Sequence, residues 1–93
     1  MMIWLLILLL SCIPAVAQQF KGRVIVKYLP TVELHRICRA PMDVALLGCA
    51  MGGAVQGFGV GRDTCMVYAH EKVRGASEAV IAHEIAHCAG WRH

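Results

Sequence analysis

The segment His83-Glu84-Ile85-Ala86-His87-Cys88-Ala89-Gly90-Trp91-Arg92-His93 places three imidazoles and one carboxylate within eleven residues. His83 and His87 are four apart, so on a helix their rings project from one face, about one turn from each other. Two such nitrogens can share a zinc ion at roughly 2.0–2.1 Å each. Glu84 follows His83 and lies about 100° further round the helix, where it reaches a water without being a ligand. Gly90 can adopt the left-handed conformation that ends a helix. The turn it makes is what would return His93 to the metal as a third ligand. Three protein nitrogens leave the fourth tetrahedral position for water, as a catalytic zinc site requires.

Ile81 and Ile85 project from the opposite side of the same helix, with Cys88 between them and Glu84. One face is therefore chemical and the other belongs to the core. A match of all five positions of His-Glu-x-x-His-x-x-Gly-x-x-His by chance in a chain this short has odds on the order of one in 10⁴ to 10⁵. The short His-Glu-x-x-His form alone is far less specific.

On these residues the sequence resembles the metzincin clan of zinc metallopeptidases. The resemblance implies a zincin-like fold and zinc-dependent hydrolysis of peptide bonds. It implies Zn²⁺ as cofactor, His83, His87 and His93 as its ligands, and Glu84 as general base. It covers the last eleven residues and a strand-then-helix order before them. The sequence ends at His93, so the expected form is a minimal one without the methionine-containing turn of that clan. In such chemistry zinc acidifies water toward a pKa of about 7 and polarises the carbonyl, while the carboxylate moves the proton. Tyr68 and His70 are candidate further donors to the oxyanion. The resemblance also assigns the segment Thr64–His70 to pairing with an extended substrate. Two rival readings accompany this one. The first is a zinc-stabilised, disulfide-linked secreted binding module without catalysis, with the carboxylate of His93 able to fill the fourth position. The second is a small secreted toxin or inhibitor, which leaves the motif unexplained.

The chain of 93 residues holds at most one domain. Residues 1–13 are almost wholly apolar but too few for a bilayer span, which needs about 20. They fit the apolar region of a signal peptide, with Pro14 ending its helix and Ala15-Val16-Ala17 as the cleavage pattern. The expected division is 1–17 signal peptide and 18–93 a minimal metallopeptidase domain, secreted or periplasmic, with no stable membrane span. Leu9-Leu10-Ser11-Cys12 offers the alternative of a lipid anchor on Cys12. All nine Lys and Arg and all six acidic residues lie beyond residue 17. The basic residues are scattered without aromatic interleaving, so no nucleic-acid footprint is present. The expected partner is a peptide or protein substrate.

Cys38, Cys49, Cys65 and Cys88 remain after export, and an even count in a short exported chain reads as two disulfides. Three connectivities are possible, and the expected pairs are Cys49–Cys65 and Cys38–Cys88.

The elements that must position the motif follow from local pattern. Arg23–Leu29 is rich in β-branched residues and reads as a strand. Thr31 is placed to cap a helix over 31–39, with Val32, Leu34, Ile37 and Cys38 as its apolar face. Asp43–Leu47 reads as a second strand or as continued loop. Gly48–Gly61 holds six of the nine glycines and reads as a flexible hairpin or long loop. Thr64–His70 reads as a strand, and Ser77 caps a helix from about Glu78 to Ala89. His35 reads as a surface residue, and Trp91 as packing beneath the turn. The whole implies an α+β domain with a small sheet packed on two helices.

Overall fold

The computed structural model describes residues 20–55, 59–73 and 78–92. The leader and both of its cleavage alternatives, with Cys12 and Ala17, lie outside the described residues. So do Ser77 and His93.

Strand β1 (Arg23–Leu29) leads into helix α1 (Thr31–Cys38). Strand β2 (Gly48–Gly52) and strand β3 (Thr64–His70) follow. A 3₁₀ turn (Glu71–Val73) comes before helix α2 (Glu78–Cys88). The sheet order is β1-β3-β2. Strand β1 runs parallel to β3, with Val26 opposite Val67. Strand β2 runs antiparallel to β3, with Ala50 opposite Val67. The protein is thus a small α+β domain with one three-stranded sheet and two helices.

Alternation along β3 sorts its side chains. Cys65, Val67 and Ala69 are fully buried, and the core gathers Cys65, Val67 and Cys88 with Val26, Ala50, Ile81 and Ile85. Ile81 and Ile85 of α2 therefore face the sheet, as their spacing predicts. Cys49 and His70 belong to the alternate set on their strands, and α1 is tied to these. Cys38 is bonded to Cys49, and the Thr31 hydroxyl lies 2.7 Å from His70 Nε2. His70 Nδ1 accepts the Lys72 amide N–H at 3.1 Å. In the neutral ring the proton therefore sits on Nε2 and is donated to Thr31. Thr31 consequently does not cap α1. Pro30 holds the N-cap position with no side-chain cap bond. Helix α1 ends at Cys38 with Arg39 in the left-handed conformation (φ 56°).

The expected disulfides are not the ones formed. The bonds are Cys38–Cys49 and Cys65–Cys88. The sheet register explains why. Cys49 stands opposite Tyr68, while Cys65 stands opposite Gly52. Three residues of offset amount to about 10 Å along a strand and place the two cysteines on opposite faces, beyond the roughly 7 Å that a disulfide tolerates. Each bond closes a loop worth about 3 kcal/mol on the chain-entropy model.

Of the two forms expected for residues 43–47, they take the irregular loop. The second strand begins instead at Gly48, inside the stretch read as a glycine loop. Glycine disfavours strands intrinsically, but here β3 approaches too closely for a side chain. A Cβ on Gly48 would lie 2.7 Å from the Tyr68 carbonyl oxygen.

His35 is not a surface residue. It is 5% exposed, with Nδ1 2.8 Å from the Thr31 carbonyl and Nε2 2.8 Å from the Val44 carbonyl. Two carbonyls accept from both ring nitrogens only when the ring is the imidazolium. These two acceptors, Val44 first and Thr31 second, raise its pKa against the opposing effect of burial.

Candidate functional site

Helix α2 ends as the sequence predicts. Gly90 has φ 103°, the Trp91 N–H donates to the Ala86 carbonyl at 3.0 Å, and the Gly90 N–H donates to the His87 carbonyl at 3.0 Å. This pair of bonds is the Schellman arrangement, with Gly90 as its left-handed residue. Two further ties hold the same turn against the domain. Cys88 is bonded to Cys65 at the centre of the core, and the Ala54 N–H donates to the Cys88 carbonyl at 2.8 Å.

The closed turn swings the Trp91 carbonyl back to the helix, where it accepts from His87 Nδ1 at 2.9 Å. With its proton on Nδ1, the neutral His87 ring keeps its lone pair on Nε2. That Nε2 lies 3.2 Å from His83 Nε2. Two nitrogens that each stand about 2.0–2.1 Å from one tetrahedral ion are about 3.3 Å apart. The observed spacing matches a shared cation, and a proton on His83 Nε2 can also bridge it. The Trp91 indole completes the group. It meets His83 edge-on at 5.0 Å between centroids and lies tilted against His87 at 5.1 Å. Trp91 is therefore in contact with both imidazoles rather than only packed beneath the turn.

Glu84 is 9% exposed. Burial raises its carboxyl pKa above the ordinary glutamate value, and the nearby His87 opposes this in part. A carboxylate tuned upward in this way is a better proton acceptor at neutral pH than a solvated one.

His83, Glu84 and His87 open onto a cleft of about 580 Å³, whose far wall is Gly48, Cys49 and Ala50 of β2. Strand β2 lies at the end of the sheet order, with only β3 beside it among the described residues. The Leu47 carbonyl accepts from the His70 N–H, and Gly52 exchanges both its main-chain bonds with Val55. Alternation between these points turns the main-chain groups of Gly48 and Ala50 away from β3. A shallower apolar groove beside the cleft is lined by Ala45, Leu47, Gly48, Ala79, Val80 and His83.

The structure thus brings together His83, Glu84 and His87. The third predicted ligand, His93, lies outside the described residues. Among the described residues, no group of three or more His, Cys, Asp or Glu side chains is arranged for a metal. Tyr68 and His70 do not line the cleft, and the His70 imidazole is engaged by Thr31 and Lys72. The assignment of Thr64–His70 to substrate pairing also needs correction. Strand β3 is the central strand and is bonded on both sides. Among the described residues, the strand with an open edge beside the histidines is β2, which its glycine content concealed in the sequence.

Comparison of the chain with protein-family models, with curated proteins and with solved structures gives no match. Among the described residues, no helix is long and apolar enough to cross a membrane.

Proposed function

We propose that the chain is an exported zinc metallopeptidase of minimal zincin-like fold, with His83, His87 and His93 as ligands and Glu84 as general base. One observation carries this reading. The Nε2 atoms of His83 and His87 stand 3.2 Å apart, with the His87 tautomer set by the Trp91 carbonyl. A metal-ligating histidine characteristically donates its other ring N–H to such an acceptor. Zn²⁺ at that point supplies polarisation of a peptide carbonyl and acidification of water. His93, three residues past the Gly90 turn, is the third ligand.

Each remaining part of the reaction falls to a group of this chain. The free edge of β2 offers the main-chain N–H and C=O of Gly48 and Ala50 to an extended peptide, the mode of strand addition. That pairing lays the peptide across the cleft in front of His83 and Glu84. The apolar groove between Leu47 and Val80 receives a neighbouring apolar side chain of the substrate. The Glu84 carboxylate takes a proton from the attacking water and delivers it to the departing amine nitrogen. Burial raises the basicity of that carboxylate, in the direction this role favours. The two disulfides support an oxidising destination for the chain, which agrees with the expected signal peptide and a secreted or periplasmic location.

The test is the Glu84→Gln variant with the parent. The expected result is Zn²⁺ uptake by both, one ion per chain, and cleavage of a peptide library by the parent alone. A parent that is fully loaded with Zn²⁺ yet cleaves nothing overturns the peptidase reading and leaves a metal-stabilised binding module in its place.

A further inference from the structure

Trp91 meets both helical histidines through its indole and meets His87 also through its carbonyl. Its carbonyl is part of the main chain and would be present whatever residue stood there. Its indole is specific to this side chain. The ring lies 5.0 Å from the His83 ring at an interplanar angle of 81° and 5.1 Å from the His87 ring at 37°. It is half-buried and lines the same cleft as His83, Glu84 and His87.

The imidazoles need such a wall. Each hangs from α2 by two rotatable bonds, and side-chain torsions otherwise fall among several staggered wells. Four other residues lining the cleft, Gly48, Ala50, Ala54 and Gly90, are small and offer an imidazole little surface. An aromatic pair at these distances contributes about 0.5–1.5 kcal/mol beyond simple burial. The main-chain hydrogen bond orients only His87. The two rings also meet each other directly, 4.8 Å between centroids and 3.2 Å between Nε2 atoms, and the indole backs both members of that pair.

From this geometry we infer that the Trp91 indole is a positioning residue, holding the His83 and His87 imidazoles in the converged arrangement that takes a divalent metal. The inference rests on the metal-site reading above and extends it to a side chain outside the ligand set. Removal of the indole takes away the surface that backs both rings, while the Gly90 turn and the Trp91 carbonyl remain. Metal affinity then falls, because convergence must be recovered at each binding event.

The experiment compares the oxidised parent chain with Trp91→Ala and Trp91→Phe. Zn²⁺ affinity is measured by competition with a chromophoric chelator, and the Co²⁺-loaded forms are compared by visible absorption. Outer-shell partners of metal ligands are worth about 10–100-fold in affinity. The expected result is a loss of about tenfold or more in Trp91→Ala, with a shifted Co²⁺ spectrum, and substantial recovery in Trp91→Phe. A metal-free readout stands beside these. Proton resonances of the His83 and His87 rings in the parent should be displaced by the indole ring current, and Trp91→Phe should reduce that displacement. Folded Trp91→Ala that binds Zn²⁺ as the parent does, with an unchanged Co²⁺ spectrum, overturns the inference alone. Should Trp91→Ala not fold, imidazole resonances in the parent without ring-current displacement overturn it equally. A parent that takes up no Zn²⁺ overturns the metal-site reading together with this one.

Discussion

His83 Nε2 and His87 Nε2 face each other across 3.2 Å at one wall of the cleft, on successive turns of α2. The proton on His87 Nδ1 is committed to the Trp91 carbonyl, so this closeness is tolerable only with a proton or a cation between the facing atoms. Convergence of this kind is unfavourable for two lone pairs and favourable for a ligand pair. It ties the chemistry of the site to the geometry of the turn that follows the helix.

His83→Ala and His87→Ala should each abolish Zn²⁺ binding at micromolar metal. Loss of either nitrogen removes half of the converged pair and leaves at most two ligands. His93→Ala should weaken binding yet leave detectable affinity, because the helical pair survives. Isothermal titration of the three variants with Zn²⁺ checks the order. Equal binding in His87→Ala and parent would sink the assignment of the helical pair.

The second prediction concerns Gly48, which lies where β2, β3 and α2 meet. A Cβ there would stand 2.7 Å from the Tyr68 carbonyl oxygen and 3.6 Å from Glu84 Cγ. Alanine ordinarily favours the folded state over glycine by about 0.5–1 kcal/mol. Here the overlap is with main chain and cannot be relieved by a rotamer change, so the sign reverses. Gly48→Ala should destabilise by about 1–3 kcal/mol, the usual cost of overpacking. For a domain of this size each kcal/mol lowers the melting temperature by roughly 4–8 °C. Peptide turnover should fall further than stability does, since the shift that relieves the Tyr68 overlap moves the strand edge beside Glu84. A melting temperature at or above that of the parent contradicts the close approach of β2 and β3.

These residues also mark what could be read from the sequence. Helix α2 was legible because its histidines, isoleucines and glycine all report one helical period and its end. Strands β1 and β3 were legible from β-branched runs. Strand β2 was not, because Gly-Cys-Ala-Met-Gly carries no strand propensity and exists through its pairing with β3. The disulfides were hidden for the same reason, since their connectivity depends on that register. Trp91 was misjudged because its neighbours are decided by the turn at Gly90, not by its place in the sequence. His35 was missed because one of its acceptors, Val44, lies on a loop nine residues away.

His35 yields a prediction of pH dependence. Its two carbonyl acceptors raise its pKa in the folded protein above the unfolded value near 6.5. A raised folded pKa means that the native state binds the proton more tightly than the unfolded chain does. The stabilisation is therefore fully present below about pH 6.5 and is lost as pH rises through the folded pKa. The stability advantage of the parent over His35→Gln should shrink between pH 6 and pH 9. Denaturant unfolding of both proteins across that range measures it. An advantage that stays constant or grows with pH would contradict the imidazolium.

The last prediction concerns Cys65–Cys88, which anchors the same helical turn that carries His87. Cys65, the second residue of β3, is fully buried, and Cys88 is 2% exposed. The bond thus fastens the end of α2 to the central strand of the sheet. Replacing both cysteines by serine removes the loop constraint, at about 3 kcal/mol, and also places two hydroxyls in an apolar core. Replacing Cys38 and Cys49 removes a loop of similar entropy on the β2 side of the cleft, away from the turn that follows His87. The two double variants should therefore lose comparable stability from loop entropy, with an added penalty for Cys65→Ser/Cys88→Ser. Zn²⁺ affinity should separate them more sharply. With Cys88 released, the covalent tie of the turn to β3 is gone while its bond to the Ala54 N–H remains, and the Trp91 carbonyl is held less firmly beside His87. Affinity measured under conditions where both variants remain folded should fall in Cys65→Ser/Cys88→Ser and hold in Cys38→Ser/Cys49→Ser. Equal affinities would show that the turn keeps its geometry through Gly90 and its backbone bonds alone.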